Sequence, residues 1–107
     1  MSIDVEKTAK IFKALCDSNR VRIVQILQAG EKCACEIGEE LDMAQSKLSY
    51  HMKILCESGI VKSWYVGKWT HYQIDSIGSD IALKILKELT TENEMTVSSR
   101  CCEKCEE

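Results

Sequence analysis

The sequence predicts a mainly α-helical domain that carries one small β-hairpin. Apolar residues recur at helical spacing on both sides of residues 61–74, and β-branched and aromatic residues are concentrated within that stretch. The 107 residues include no proline and only five glycines, so each glycine is an informative boundary. A chain of this length is expected to form a single core.

Two helices are predicted in the first thirty residues. Residues 5–15 follow helical spacing and define the first helix. Asp17 or Ser18 can cap a second helix, which Gly30 would terminate.

The next two predicted helices are joined by a tight turn. A short third helix runs from about Cys35 to Leu41, and residues 42–43 form the turn. The fourth helix stops at Gly59 and has an apolar stripe formed by Leu48, Met52 and Leu55. Two short helices in this arrangement are a helix-turn-helix candidate.

A hairpin and a last helix are predicted to complete the domain. Residues 61–66 and 69–74 form the two strands, and Gly67, the first residue of the two-residue loop, favours a type II′ turn. Ser79 precedes the last helix, whose stripe is formed by Ile81, Ala82, Ile85, Leu86 and Leu89. The predicted domain therefore covers residues 1–91, and residues 92–107 form a flexible, acidic, cysteine-rich tail.

The aromatic residues of the hairpin are assigned to packing. Tyr72 and Ile74 alternate onto one face of the second strand, so they are expected to pack the hairpin on the core. Stacking of Trp64, Tyr65 or Trp69 on single-stranded bases is the weaker interpretation.

The composition excludes several classes of protein. Hydrophobic residues make up 45% and charged residues 29%, as in soluble globular proteins, and the longest apolar run is three residues, which excludes a membrane span and a secretory signal. Seven cysteines without an export signal predict reduced thiols in the cytoplasm, with a metal or redox role rather than a disulfide framework.

The net charge of −3 is unevenly distributed. Residues 92–107 contain five acidic and two basic side chains and account for all of it, whereas residues 45–74 contain four lysines against Glu57. This local excess of three positive charges can bind phosphates, although a solvated surface is equally compatible with charge alone.

The order of these elements is that of a winged helix-turn-helix, with the hairpin as the wing. Three stretches resemble the ArsR/SmtB family of bacterial metal-responsive repressors: IFKALCDSNRVRIVQIL, KCACEIGEEL and MAQSKLSYHMKILCESGIVKSWYVGKWTHYQI. The resemblance covers roughly residues 5–90 and is most specific at residues 49–55 and 59–61. It implies a homodimer joined by its first and last helices, which binds a palindromic double-stranded operator and releases it when a metal arrives.

The fourth helix carries side chains suited to reading DNA. Gln45, Ser46, Ser49 and Tyr50 provide the small polar and amide groups that a major-groove helix needs on its exposed N-terminal face. The predicted phosphate contacts are Lys47, Lys53 and, at the tip of the wing, Lys68.

Two positions of this helix are less regular. The resemblance places His51 near the operator, so it is predicted to bind DNA, with a structural role beside the apolar face equally open. Ala44 stands where the family usually has a serine cap, and loss of that cap would cost about 1 kcal/mol.

Cys33 and Cys35 open the third helix, where the resemblance implies a thiolate sensor of arsenic, cadmium or lead. The helix N-terminus and the adjacent Lys32 are expected to lower the thiol pKa and favour the thiolate. Residues two apart on a regular helix point about 200° from each other, so convergence on one ion predicts that binding unwinds the helix start.

A third sulfur is sought in the tail. Arsenic(III) prefers three thiolates, and Gly38 occupies the position where one form of the family motif has its third cysteine. The candidates are Cys101, Cys102 and Cys105, which ten residues of extended chain, roughly 33 Å, connect to Thr91. A site formed by the tail cysteines alone remains equally open.

The remaining cysteines and the last helix receive structural roles. Cys16 and Cys56 each follow an apolar pair and are predicted to behave as small hydrophobic residues. Ile81, Ile85 and Leu89 are predicted to form the dimer interface. The last helix contains no histidine, whereas the zinc-responsive branch of the family has metal ligands there.

The sequence is compatible with four functions. The leading one is a repressor that As(III) or Sb(III) releases from its operator, and the second replaces the inducer by Cd(II) or Pb(II), bound by Cys33, Cys35, Cys102 and Cys105. The third is a thiol redox or persulfide sensor. The fourth, a thiol oxidoreductase built on the Cys102 and Cys105 pair, is weak because such motifs open a helix after a strand. The chain is therefore not expected to be an enzyme.

Overall fold

The computed structural model describes residues 3–92 and contains five helices and three strands within them. In chain order these are α1 (Val5–Ala14), α2 (Ser18–Leu27), β1 (Lys32–Cys33), α3 (Ala34–Leu41), α4 (Gln45–Glu57), β2 (Val61–Val66), β3 (Trp69–Ile74) and α5 (Ser76–Leu89). Apart from Glu92, the predicted tail lies outside the described residues, so its boundary stays a prediction. Over residues 3–92, no helix has the length and apolarity needed to cross a membrane.

Aspartate side chains begin three of the helices. Asp4, Asp17 and Asp75 each accept hydrogen bonds from backbone N–H groups of the first turn that follows. Desolvation raises the pKa of Asp17, but the N–H groups of Asn19 and Arg20 outweigh it, and the pKa lies below its usual value. Because Asp75 provides the cap, α5 begins at Ser76, three residues earlier than its apolar stripe predicted.

The recognition candidate α4 lacks such a cap. Ala44 occupies the N-cap position in an extended conformation and offers no side-chain acceptor, as the sequence predicted. The first N–H groups of α4 therefore have no side-chain acceptor from the cap residue.

The sheet has three strands in the order β1-β3-β2, not the two that the sequence predicted. The hairpin bounds agree with the prediction, and Val61 pairs with Ile74 at its open end. Gly67 has a φ of 63° and Lys68 does not have a positive φ, which fits the predicted type II′ turn. The additional strand is β1, in which Lys32 pairs with Tyr72 and Cys33 with His71.

The core lies where the helices meet the base of the hairpin. The largest fully buried side chains come from four helices: Ile11, Ile23, Leu27, Ile37, Leu48, Met52 and Leu55. Tyr72 is 9% exposed and Ile74 packs against this cluster, so the predicted packing of the hairpin on the core is confirmed.

The first turn of α5 is seated directly on the loop after α4. The N–H of Asp75 donates to the carbonyl oxygen of Ile60 at 2.8 Å. A Cβ atom added to Gly78 would overlap the carbonyl oxygen of Gly59. Only glycine permits this close approach of the two backbones.

We expect Gly78→Ala to lower the free energy of unfolding by about 1–3 kcal/mol, because the new methyl group must displace backbone. The matched control is Gly38→Ala in α3, whose Cβ would lie 3.4 Å from the carbonyl oxygen of Met43. That variant should be neutral or stabilised by up to about 1 kcal/mol. Urea unfolding at fixed protein concentration measures both, and equal effects would contradict the close approach.

Candidate nucleic-acid interface and thiol pair

One face of α4 is available to a partner. The side chains of Leu48, Met52 and Leu55 are buried and fix the helix on the core. Six of the predicted DNA-binding residues lie in α4 and are exposed: Gln45, Ser46, Lys47, Ser49, Tyr50 and Lys53. The side chain of Tyr50 is 59% exposed, so its ring is free to reach a groove.

His51 does not belong to this exposed face. It is 4% exposed, and its Nδ1 accepts a hydrogen bond of 2.9 Å from Nη1 of Arg20. Arginine can only donate, so this imidazole is neutral and carries its proton on Nε2. The prediction that His51 contacts DNA is therefore wrong, because the side chain points into the protein and anchors α4 instead.

The partner of His51 is a buried guanidinium group that also binds the end of α1. Arg20 is 5% exposed and donates from Nε to the carbonyl oxygen of Ala14 at 3.1 Å and from Nη2 to that of Lys13 at 3.2 Å. The side chain of Arg20 thus connects α1, α2 and α4. Desolvation lowers the pKa of His51, the positive charges of Arg20 and Lys47 lower it further, and Asp17 opposes them.

The hairpin β2–β3, which we call the wing, presents a cation at its tip. Lys68 is exposed, and its Nζ lies 5.9 Å from the ring centroid of Trp69. Tyr65 and Trp69 are 78% and 51% exposed, so these two aromatic rings do not contribute to the core. The wing therefore combines a buried anchor with an exposed, cationic tip.

Cys33 and Cys35 are brought together at the start of α3. Cys33 ends β1 and occupies the N-cap of α3 with φ −84° and ψ 161°, whereas Cys35 lies within the first helical turn. Their Sγ atoms are 2.7 Å apart. The backbone N–H of Cys33 donates to Oε1 of Glu36 at 2.9 Å, which fixes the turn between strand and helix.

This geometry corrects the expectation that binding must unwind the helix. The angle of about 200° applies to two residues within a regular helix, but Cys33 is extended and lies outside α3. Two sulfurs that share one ion at about 2.3 Å each lie roughly 3–4 Å apart. A small opening of the pair is therefore sufficient, and α3 can remain helical.

The pKa of Cys35 is raised, contrary to the expectation of a lowered thiol pKa. The adjacent Cys33 sulfur is the main cause, followed by desolvation and by the negative charges of Cys33 and Glu36. The pKa of Glu36 is lowered, chiefly by the backbone N–H and side chain of Cys33. The helix N-terminus and Lys32, which favour a lowered pKa, are thus outweighed by the second sulfur.

The other predicted ligands are not brought to this pair by the described chain. Cys101, Cys102 and Cys105 lie outside residues 3–92, and within that range no three histidine, cysteine or acidic side chains converge to hold a metal ion. Cys56 is half-buried, which raises its pKa and supports its structural assignment. Cys16 is exposed, so its exposure does not support the predicted role as a small hydrophobic residue.

The surface of α1 and α5 has the apolar character of an interface. None of the side chains of α5 is buried, and Ile81 and Leu89 are 42% and 50% exposed. A cleft of about 330 Å³ separates the two helices and is lined by Ile3, Asp4, Lys7, Thr8, Ile81, Lys84, Ile85 and Glu88. Apolar exposure of this extent is typical of a surface that another subunit covers.

The sequence is similar to bacterial regulators. Residues 17–63 match the family described as bacterial regulatory protein, arsR family. Over 80 residues the chain is 39% identical to the arsenical resistance operon repressor of Escherichia coli (strain K12). The aligned region covers 74% of this chain and 68% of that protein. Over 68 residues it is 37% identical to the cadmium resistance transcriptional regulatory protein CadC homolog of Staphylococcus aureus, covering 63% and 56%.

The fold is similar to that of a solved winged helix-turn-helix domain. The solution NMR structure of a homodimeric DNA-binding domain from Mycobacterium bovis, a possible ArsR-family transcriptional regulator, superposes with a TM-score of 0.63 at 21% identity. The match covers 79% of this chain and 83% of that chain. The predicted winged helix-turn-helix fold is thus confirmed.

The buried imidazole predicts a pH-dependent stability. Its folded pKa lies below 6.5, so the unfolded chain takes up a proton first as the pH falls, and the free energy of unfolding should decrease below about pH 6.5. The slope should not exceed about 1.4 kcal/mol per pH unit per chain.

The control is His51→Gln, whose amide oxygen can still accept from Arg20 but does not titrate. Urea unfolding between pH 5 and 7.5, at one protein concentration, should show a flatter profile for this variant. An unchanged profile would mean that another group is responsible.

Proposed function

Because this chain belongs to the arsR family of bacterial regulatory proteins and is a DNA-binding transcriptional repressor, we propose that arsenite or antimonite is the inducer that releases it from double-stranded operator DNA. The family is one of regulatory proteins, so the chain is not a thiol oxidoreductase. The observation that carries the proposal is the pair of adjacent sulfurs of Cys33 and Cys35 at the start of the helix-turn-helix.

The DNA-binding surface follows from the exposed face of α4 and the tip of the wing. Gln45, Ser46, Ser49 and Tyr50 read base edges in the major groove, since their side chains are exposed on the N-terminal half of α4. Lys47, Lys53 and Lys68 contact phosphates and fix the register. Two such surfaces on a homodimer, joined through the apolar faces of α1 and α5, fit a palindromic operator.

The chemistry of the pair suits a trivalent metalloid. Each thiol displaces one hydroxide of neutral As(OH)₃, and the thiol proton leaves with that hydroxide as water, so no oxidation state changes. A raised pKa at Cys35 therefore does not oppose this exchange at neutral pH. Soft ions prefer the polarizable sulfur over the carboxylates of the neighbouring glutamates.

A trivalent metalloid accepts one sulfur more than this pair supplies. Cys101, Cys102 and Cys105 are the remaining candidates, and ten residues of extended chain allow Cys101 of either subunit to lie up to roughly 33 Å from Thr91. A site within the tail alone is the alternative arrangement. The proximity of the two sulfurs at the start of α3 supports the shared site.

Cadmium or lead is the second candidate inducer, favoured by the similarity to the Staphylococcus aureus cadmium regulator. These cations require thiolates, so binding would release the proton of Cys35 to solvent and would strengthen as the pH rises. Binding of As(OH)₃ lacks this requirement. The pH dependence of affinity between pH 6 and 8 therefore separates the two inducers.

We expect Tyr50→Ala to relax sequence preference at one position of each half-site, at a cost of about 1–3 kcal/mol on a selected operator and little on random DNA. Lys68→Ala should weaken both duplexes and reduce the salt slope by about one per protomer. Fluorescence anisotropy at several salt concentrations measures both. Tyr65→Ala and Lys10→Ala are the controls, and equal loss on the two duplexes for Tyr50→Ala would remove its base-reading role.

Arsenite should release the wild-type protein from a selected operator, and Cys33→Ser should abolish that release while retaining DNA binding. Cys16→Ser removes an exposed thiol outside the proposed site and should respond as wild type. Titration with arsenite, antimonite, cadmium and hydrogen peroxide identifies the inducer class. Release by peroxide alone would overturn the proposal.

The tail variant with Cys101, Cys102 and Cys105 all changed to serine locates the third ligand. A weakened arsenite response in this variant, together with loss in Cys33→Ser, indicates a shared site. Loss in the tail variant with a normal response of Cys33→Ser would place the site in the tail and contradict the role of α3.

A further inference from the structure

We infer that His71 is a positioning residue through which the state of the Cys33 and Cys35 pair is transmitted to the wing. The inference rests on the proposed function and concerns the route by which inducer binding weakens DNA binding. Strand β1 carries Cys33 at one edge of the sheet, and the wing forms the remainder of the same sheet. A displacement of Cys33 therefore acts on β3 directly, before α4 is involved.

A transverse row of three side chains crosses the sheet at this point. Cys33 on β1 is opposite His71 on β3, and His71 is opposite Trp64 on β2. Residues directly opposite each other in antiparallel strands have Cβ atoms about 4.5–5.5 Å apart on the same face. One side of His71 is thus adjacent to the sensing cysteine, and the other is adjacent to the outer strand of the wing.

The contacts of His71 hold it in this row. Its ring stacks on Trp64, with centroids 6.0 Å apart and planes inclined by 21°. Its Nδ1 lies 3.1 Å from Oε2 of Glu31, the residue that precedes β1. His71 therefore contacts both the segment that leads into the sensing strand and the strand beyond it.

The wing is built to carry a displacement to its tip. β2 and β3 pair without interruption from Val61–Ile74 to Val66–Trp69, so the hairpin moves as one body. His71 and Lys68 are three positions apart along the chain, a distance of at most about 10 Å. A tilt of the wing at His71 therefore moves Lys68, which contacts a phosphate in the proposed function.

The alternative route runs through the buried contact between α3 and α4. Ile37 in the middle of α3 is completely buried, and the next residue, Gly38, faces the carbonyl oxygen of Met43 and the side chain of Leu48 with room for a methyl group. Because the sulfurs meet without unwinding α3, inducer binding does not have to disturb this contact. β1 has two residues and lies at the sheet edge, so it yields first.

His71→Ala should separate inducer binding from DNA release. Arsenite binding, followed by the near-ultraviolet arsenic–sulfur absorption of the full-length dimer, should stay within about twofold of wild type, whereas the loss of operator affinity on adding arsenite should shrink by about tenfold or more. Glu31→Gln, which leaves the hairpin intact, should also reduce the loss of operator affinity that arsenite causes. Full coupling in both variants overturns the inference.

Gln73→Ala is the matched control. Gln73 lies on the same face of β3 as His71 but pairs only with Lys62 on β2 and has no partner on β1. Its arsenite response should equal that of wild type. An equal loss of coupling in Gln73→Ala would assign the effect to general weakening of the wing and would also overturn the inference.

Trp64 supplies a readout that a merely structural role would not change. In a Trp69→Phe background, Trp64 is the remaining tryptophan, and its emission should change when arsenite is added without DNA. When His71→Ala is added, the change in Trp64 emission should disappear although arsenite still binds. A change that persists would contradict transmission from Cys33 through His71 to Trp64. If arsenite does not bind the wild-type protein, or still binds Cys33→Ser, the proposed function on which the inference rests is rejected instead.

Discussion

The pairing of β1 with β3 is the constraint on which the sensing geometry depends. Two residues of extended chain hold Cys33 outside α3, and in that conformation its sulfur lies 2.7 Å from that of Cys35. The same pairing joins the cysteine to the wing, so the inducer site and part of the DNA surface share one sheet. A site built on consecutive turns of a rigid helix would have neither property.

Local patterns predicted most of the fold, and contacts between distant residues account for the errors. The hairpin bounds were correct because alternation and the Gly67 turn are local signals, but β1 is too short to show alternation and is defined by Tyr72 and His71, about forty positions later. The DNA contact of His51 was implied by the family resemblance, with a structural role equally open, whereas its burial follows from Arg20, thirty-one positions earlier. The raised pKa of Cys35 likewise arises from a sulfur whose approach the helical wheel excluded.

The buried Arg20 and His51 pair explains how α4 can be firmly placed although its N-terminus has no side-chain cap. The absence of a side-chain cap at Ala44 costs α4 about 1 kcal/mol of stability. The buried side chains of Leu48, Met52 and Leu55 fix the helix on the core. The guanidinium adds fixed hydrogen bonds between α4 and the end of α1. The exposed polar side chains of α4 are thereby held at a defined angle without a cap that would occupy its first N–H groups.

The size of the required effect also favours a small displacement over unfolding of a helix. Moving a repressor from almost fully bound to almost fully free takes about 5.5 kcal/mol of differential affinity. A symmetric dimer divides this between two identical sites, so each protomer has to lose roughly half, which equals one or two well-formed base contacts at about 1–3 kcal/mol each. A shift of the wing that removes the phosphate contact of Lys68 in each protomer supplies part of that loss without moving α4. Unfolding the start of α3 would expose the buried side chains of Ala34 and Ile37 and lower the stability of the protein, which a shift of the wing does not require.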